Sequence, residues 1–183
     1  MPRQISAVLE YVEGGRFSYT YSGDINNDGS ALNDLLYIPT SGEINQMAFS
    51  GADAAEENAQ RTALEAFIQQ DDYLSENRGQ YVAKYGILSP WYSRLDIRIL
   101  QDYAVSESNK LQLSIDILNA GNMLNSDWGV RQLPQNTQPI GVSFDTNGDP
   151  VYSFDTTLED TFVDDPGLLS RWQVQFGLRY IFN

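Results

Sequence analysis

The chain has 183 residues, with 25 acidic side chains against 11 basic ones, a formal net charge of −14, and neither cysteine nor histidine. That length holds one domain with a real core. The composition excludes disulfides, thiolate or imidazole metal sites and any triad that needs His or Cys, and the charge argues against nucleic acid, which selects basic surfaces. No apolar run reaches the roughly 18 residues of a membrane-spanning helix, but strands with one polar face would escape such a scan. Met-Pro-Arg-Gln-Ile lacks the basic and apolar regions of a signal peptide, so a membrane protein with this start is expected to be mature or a segment of a longer chain.

In chain order, Ile5, Ala7, Leu9 and Tyr11 alternate with Ser6, Val8, Glu10 and Val12, which predicts a strand over 4–12. Glu13-Gly14-Gly15 reads as a tight turn. Phe17, Tyr19 and Tyr21 alternate with Ser18, Thr20 and Ser22, which predicts a strand over 16–23 and a hairpin with the first. From 24 to 89 the alternation stops. Asp53 with Glu56 resembles a capping-box start, and Leu64, Phe67 and Ile68 form an apolar stripe at helical spacing. A helix over 54–69 and a shorter one over 72–78 follow, with their apolar residues packed on the loop itself rather than on a partner.

Pro90 precedes the longest predicted strand, 91–104, with Leu95, Ile97 and Ile99 on one face and Arg94, Asp96 and Arg98 on the other. Ser106 to Asn109 is a polar turn. Leu111, Leu113, Ile115 and Ile117 then alternate with Gln112, Ser114 and Asp116, which predicts a strand over 109–118 and the clearest hairpin of the chain. A second excursion, 119–168, contains a small hairpin, Val142–Phe144 with Val151–Phe154, turning through Asp145 to Pro150. The last predicted strand, 169–182, places Trp172, Val174, Phe176, Leu178, Tyr180 and Phe182 on one face and Arg171, Gln173, Gln175, Gly177 and Arg179 on the other.

A transmembrane barrel strand needs about 9–11 residues, apolar toward lipid and polar toward the lumen, with aromatics at the interfaces. The terminal strand meets each condition, with Trp91, Trp172, Tyr103, Tyr180 and Phe182 as girdle residues. The fold expected is therefore all-β: a partial antiparallel transmembrane β-barrel of five strands, with long extracellular loops carrying one or two short helices and a small hairpin. Barrels of this kind have short periplasmic turns and long outer loops. This puts Glu13–Gly15 and Ser106–Asn109 in the periplasm and 24–89 and 119–168 outside. The two loops hold nineteen acids and four basic residues, so they carry −15 and the strands about +1. Five strands cannot close a barrel, for which about eight is the minimum, so a longer protein or an assembly of chains is expected.

Several stretches also resemble a known family. Tyr21-Ser22-Gly23-Asp24 through Asp28-Gly29, then Asn33-Asp34-Leu35-Leu36-Tyr37-Ile38-Pro39, is similar to a segment of the TonB-dependent outer-membrane receptors of Bacteroidetes-type bacteria, in the Oar-like subgroup with a carboxypeptidase-regulatory-like domain. Arg78-Gly79, Ser89-Pro90-Trp91 with Leu95-Asp96-Ile97-Arg98, Asp116-Ile117-Leu118-Asn119 with Leu124-Asn125 and Trp128-Gly129, and Gly177-Leu178-Arg179-Tyr180-Ile181-Phe182-Asn183 resemble it too. The resemblance implies the last five strands of a 22-stranded nutrient transporter, located in the cell outer membrane. Its implied partners are outer-membrane lipid, the remainder of the barrel and plug, and an energy-coupling inner-membrane complex. The plug and coupling box have no counterpart here, so transport by this chain alone is not expected.

Asp24-Ile25-Asn26-Asn27-Asp28-Gly29 has the D-x-N-x-D-G opening of a calcium loop. An EF-hand needs an acid at its twelfth position, which here is Leu35, with Asn33 and Asp34 just before it. Asp24, Asn26 and Asp28 are thus the candidate ligands of a Ca2+ ion outside the EF-hand pattern, against the plainer reading of an Asp/Asn/Gly turn. Asp145-Thr146-Asn147-Gly148-Asp149 is a weaker candidate and a stronger hairpin turn. Arg94, Asp96, Arg98 and Asp116 are expected to pair across strands rather than bind a ligand. Neighbouring acids such as Asp71-Asp72 and Asp164-Asp165 do not set the carboxylate separation a glycosidase needs, and no enzymatic activity is expected. The alternative to a receptor segment is a soluble, secreted β-rich binding module stabilised by calcium. The two differ in whether a second layer covers the apolar strand face.

Overall fold

A computed structural model of the chain describes residues 3–31 and 33–182; Asn183, which ends the terminal motif, lies outside them. The first part of the chain forms β1 (Arg3–Val12), β2 (Arg16–Phe17), β3 (Tyr37–Ile38), α1 (Ser41–Ile44), α2 (Ala54–Gln70), α3 (Asp72–Glu76), β4 (Gln80–Tyr81) and β5 (Ile87–Leu88). It continues through β6 (Tyr92–Ala104), β7 (Lys110–Leu118), α4 (Ala120–Leu124), β8 (Gln132–Pro134), β9 (Ile140–Phe144), β10 (Pro150–Phe154), β11 (Phe162–Asp164) and β12 (Gln173–Ile181). The structure is mostly β, with antiparallel sheets. Among the described residues no sheet closes into a barrel.

The chain divides into two compact units. The first comprises residues 1–14, 90–133 and 164–183 and is built on a four-stranded sheet of order β1-β6-β7-β12. Its register stacks the alternating residues into rows: Ile5 faces Ile99, Ile99 faces Ile115, and Ile115 faces Phe176. The next row is Ala7, Ile97, Ile117 and Val174. Because side chains alternate with period two, one face is apolar across all four strands and the other is polar. The apolar face is uncovered: Phe176 is 79% exposed, Leu178 68% and Ile5 65%. The turn between β6 and β7 closes through Val105 N–H to Asn109 O (2.9 Å) and Asn109 N–H to Ser106 Oγ (3.1 Å).

At the far end of β7 the chain turns a locked corner. Asn119 takes the left-handed conformation (φ 51°) and is almost fully buried. Its N–H donates to Asp96 (2.8 Å) and its amide donates to the Gly129 carbonyl (2.9 Å). Gly129 has φ +67°, and a Cβ there would stand 2.0 Å from Asn119 Oδ1.

The expected hairpin of 4–12 with 16–23 does not form, and the large sheet has four strands rather than five. β1 pairs with β6, only Arg16–Phe17 is strand, and it pairs with β5. Periodicity correctly marked 16–23 as extended but carries no information on which surface covers its apolar face. Tyr19 and Tyr21 are buried in the core of the second unit, held on both sides by backbone bonds: Leu36 N–H to Tyr19 O, Tyr21 N–H to Asp34 O and Thr20 N–H to Thr137 O, each 3.0 Å. Gly14 and Gly15 mark the division between units rather than a hairpin turn. The terminal strand begins at Gln173, since Leu168–Ser170 forms a 3-10 turn.

The second unit, residues 15–89 and 134–163, shows that the two excursions fold together. Leu64, Phe67 and Ile68 of α2 pack with Tyr19, Ile38, Leu74, Ile140 and Phe154 in one apolar core. Helix α2 starts as its sequence predicts: Asp53 caps Ala55 and Glu56 N–H, though Glu56 reaches back to Ala52 N–H rather than to the cap residue. Buried Gln60 ties α2 to both of its neighbours. Its Oε1 accepts the Phe154 N–H (2.9 Å), and its Nε2 donates to the Ser50 carbonyl.

Gln60→Leu keeps the bulk and orphans two backbone groups, so the helical circular dichroism signal, which α2 dominates, should melt in urea with about 2–4 kcal/mol less stability. Gly129→Ala introduces both a clash and a left-handed alanine, and should cost about 1–3 kcal/mol. All three tryptophans (91, 128 and 172) lie in the first unit. Tryptophan fluorescence should therefore report the Gly129→Ala loss.

Candidate functional site

The polar face of the four-stranded sheet is crossed by ion pairs. Arg94 bonds Glu10 (3.0 Å) on β1 and Asp96 (3.3 Å) on its own strand, and Arg98 on β6 pairs with Asp116 on β7. Gln112 donates to Asp102 (2.9 Å). The register places Glu10 opposite Arg94 and Arg98 opposite Asp116, so each cation meets an acid directly across the ladder. Arg94, Asp96, Arg98 and Asp116 are thus brought together as the sequence predicts, with their charges spent on one another.

Asp24, Asn26 and Asp28 share one loop. Asp24 accepts the N–H groups of Asp28 (3.1 Å) and Gly29 (2.7 Å), and Asn26 Oδ1 also accepts Asp28 N–H (2.9 Å). Asp28 accepts Ser30 N–H (2.9 Å), and buried Asp34 accepts Ile25 N–H (3.0 Å). Asn27 and Gly29 take positive φ, which lets consecutive N–H groups turn inward. The loop is therefore a closed Asx turn. Lone pairs remain on Asp24 and Asp28, since an ionised carboxylate offers about four. The Asn26 amide, however, turns its Nδ2 toward Asp28 (3.2 Å) and Asp34 (2.6 Å), so a cation would require the amide to turn over. Among the described residues no group of three or more His, Cys, Asp or Glu is arranged to hold a metal.

Asp145 forms a second turn of the same kind, accepting Asn147 N–H (2.8 Å) and Asp149 N–H (2.9 Å). Bonds from the backbone hold the carboxyls of Asp28, Asp145 and Asp155 below the ordinary aspartate range. The sixteen acids and four basic residues of this unit give it −12 of the chain's −14. Neighbouring Asp71 and Asp72 do not form a dyad: Asp71 is buried, caps α3 at Leu74 N–H (2.9 Å) and accepts the Thr161 hydroxyl.

Sequence reasoning missed a cavity of about 160 Å3 lined by Tyr21, Tyr37, Pro39, Glu43, Met47 and Tyr152. Its rings come from separated stretches, so only the resemblance-bearing segment 21–39 drew attention to any of them. Compared with protein-family models, with curated proteins and with solved structures, the chain matches none. Function is therefore read from the geometry.

The lowered carboxyls give a pH prediction. A folded value below the unfolded one, which is about 4, adds stability above the unfolded value and loses it as pH falls through the folded one. The melting temperature of the helical signal should therefore fall between pH 5 and pH 3, about where carboxylates titrate. The double variant Asp28→Asn, Asp145→Asn should keep its turns and show a shallower fall in thermal melts.

Proposed function

We propose that the chain is a segment of an outer-membrane β-barrel receptor of the TonB-dependent type, which captures a nutrient ligand outside the cell and imports it. The observation that carries this reading is the uncovered apolar face of the four-stranded sheet. In a soluble module a second layer must bury such a face, and left in water it is an aggregation hazard. A bilayer removes the difficulty. From Trp172 to Phe182 the terminal stretch advances ten residues, about 33 Å at 3.3 Å per residue. At a tilt near 40° this becomes about 25 Å, the height of the apolar band of a barrel. Trp172 and Tyr11 lie toward one end of that face, and Tyr103, Tyr180 and Phe182 toward the other.

The connections support the same reading. The short turn joins β6 to β7 at one end of the sheet, and both long excursions leave from the other end, after Val12 and Leu118, and return at Tyr92 and Gln173. Short turns on the periplasmic side and long loops outside are the barrel pattern. Among the described residues the outer edges of β1 and β12 carry no partner strand in this sheet, and further barrel strands would pair them. On this reading the acidic unit faces the medium, the ion-paired face lines the lumen, and the segment is not competent alone. The implied partners are lipid, the rest of the barrel with its plug, and an energy-coupling complex of the inner membrane. Calcium at Asp24, Asn26 and Asp28 is a proposed stabilising ion of the outer unit. It should raise that unit's melting temperature, and an unchanged temperature would remove the ion from the reading.

The chain has no cysteine, so single cysteines test the topology. In intact producing cells an impermeant maleimide should label Ser30→Cys and Thr146→Cys. It should reach Ser108→Cys only after the outer membrane is opened, and should leave Phe176→Cys unlabelled. Equal labelling of Ser108→Cys and Ser30→Cys on intact cells, or recovery of the protein in the soluble fraction, would defeat the reading. Phe176→Arg on the lipid face should cost about 2–4 kcal/mol and deplete the protein from membranes. Gln175→Arg on the polar face should not.

A further inference from the structure

The cavity of the second unit walled by Tyr21, Tyr37 and Tyr152, with Met47, Pro39 and the Glu43 carboxylate, has the composition of an aromatic cage. We infer that it binds a compact organic cation, a quaternary or methylated ammonium group. Phenol rings attract cations through the negative potential of their faces, and several rings around one pocket with a carboxylate nearby is the arrangement that selects ammonium groups whose methyls cannot hydrogen-bond. The pocket, about 160 Å3, opens to solvent: Glu43 is exposed, and Tyr37, Met47 and Tyr152 are only partly buried, so a small cation can enter without unfolding the unit. That volume lies below the roughly 300–1,000 Å3 of sites for drug-sized ligands, so the occupant is a headgroup or a small molecule rather than a large solute.

The walls are fixed in place. Tyr21 is buried, and its ring lies 6.5 Å from that of Tyr152. Tyr37 meets Tyr81 edge-on at 5.3 Å and donates its hydroxyl to Glu43 (2.9 Å). Glu43 also accepts the N–H and hydroxyl of Thr40 (2.8 and 2.9 Å) as the capping box of α1. These bonds, the Thr40 N–H foremost, hold the Glu43 carboxyl below the usual glutamate range. Burial pushes the Tyr21 and Tyr152 phenols up, and the bond to Glu43 raises Tyr37. Near neutral pH the pocket therefore presents neutral rings and one negative charge. Binding here does not depend on the membrane reading, whereas a role in capture for import rests on it.

The test is calorimetric titration of the full chain in detergent with choline and with its uncharged carbon isostere, dimethylbutanol. Cysteine labelling on intact cells tests the membrane reading independently. Choline should bind at least about tenfold more tightly than the isostere. Tyr37→Leu should weaken choline at least about tenfold, while Tyr37→Phe, which keeps the ring, should retain most of the affinity. Glu43→Gln should weaken choline and leave the isostere unchanged. Equal affinity for choline and the isostere, no choline binding to the folded wild-type chain, or full binding by Tyr37→Leu would each overturn the inference. The comparison of choline with the isostere needs no variant, so a variant that fails to fold does not rescue the idea.

Discussion

Strand register is the constraint on which the first unit depends. The row Ile5, Ile99, Ile115 and Phe176 crosses four strands without a polar break, and the pairs Glu10–Arg94 and Arg98–Asp116 meet in the same register on the opposite face. A slip of one residue in any ladder would send an entire apolar set to the polar side and separate each cation from its acid. The ion pairs are individually weak at an exposed surface, so their value lies in choosing among registers. The apolar rows half-bury their central isoleucines against one another but leave Ile5 and Phe176 at the edge strands exposed. The sheet is thus well specified in register while its apolar face stays largely exposed.

The second unit solves a different problem. A stretch of more than sixty residues without regular structure is uncommon in a compact domain. Here the two excursions share one apolar core, in which Leu64, Phe67 and Ile68 of the first meet Ile140 and Phe154 of the second. Residues 19–22 lie between 34–36 and 137–142, Gln60 joins α2 to β10, and Ser50 N–H donates to Tyr152 O (2.8 Å). Gln70 donates to Thr161 (2.9 Å), which in turn donates to Asp71. Most of these ties run between the two excursions, so neither is free to unfold without exposing the other's core.

Much of this was legible in the residues. Strict alternation located β6, β7 and β12, because a two-residue period has a single structural meaning over so many positions. Asp53 and the stripe Leu64, Phe67 and Ile68 located α2 and its buried side, and Asn147-Gly148 located the turn between β9 and β10. The stretch 16–23 was misassigned to the sheet because Phe17, Tyr19 and Tyr21 would look the same against lipid as against Phe67. What decides between them is contact with residues far away in the chain, which periodicity does not encode. The aromatic cavity was hidden for the same reason: Tyr21, Tyr37 and Tyr152 become neighbours only after both excursions fold. Asp24, Asn26 and Asp28 were legible as a cluster, but that their oxygens would be engaged by N–H groups of the same loop was not.

The acidity of the second unit has a structural origin that bears on ligand choice. Among the described residues, nine of its sixteen acids accept backbone N–H groups: Asp24, Asp28, Asp34, Glu43, Asp53, Glu56, Asp71, Asp145 and Asp155. Apart from α2 and the β9–β10 hairpin, the unit is made of short helices, two-residue strands and turns, which leave N–H groups without a ladder partner. Short carboxylates at turns and caps meet that need. Net charge is therefore largely a by-product of irregular backbone and a poor guide to what binds. A cationic ligand needs a carboxylate that keeps its charge and also faces something other than the backbone. Glu43 qualifies: it caps α1, it stays ionised, and it also lines a pocket whose other walls are aromatic rings.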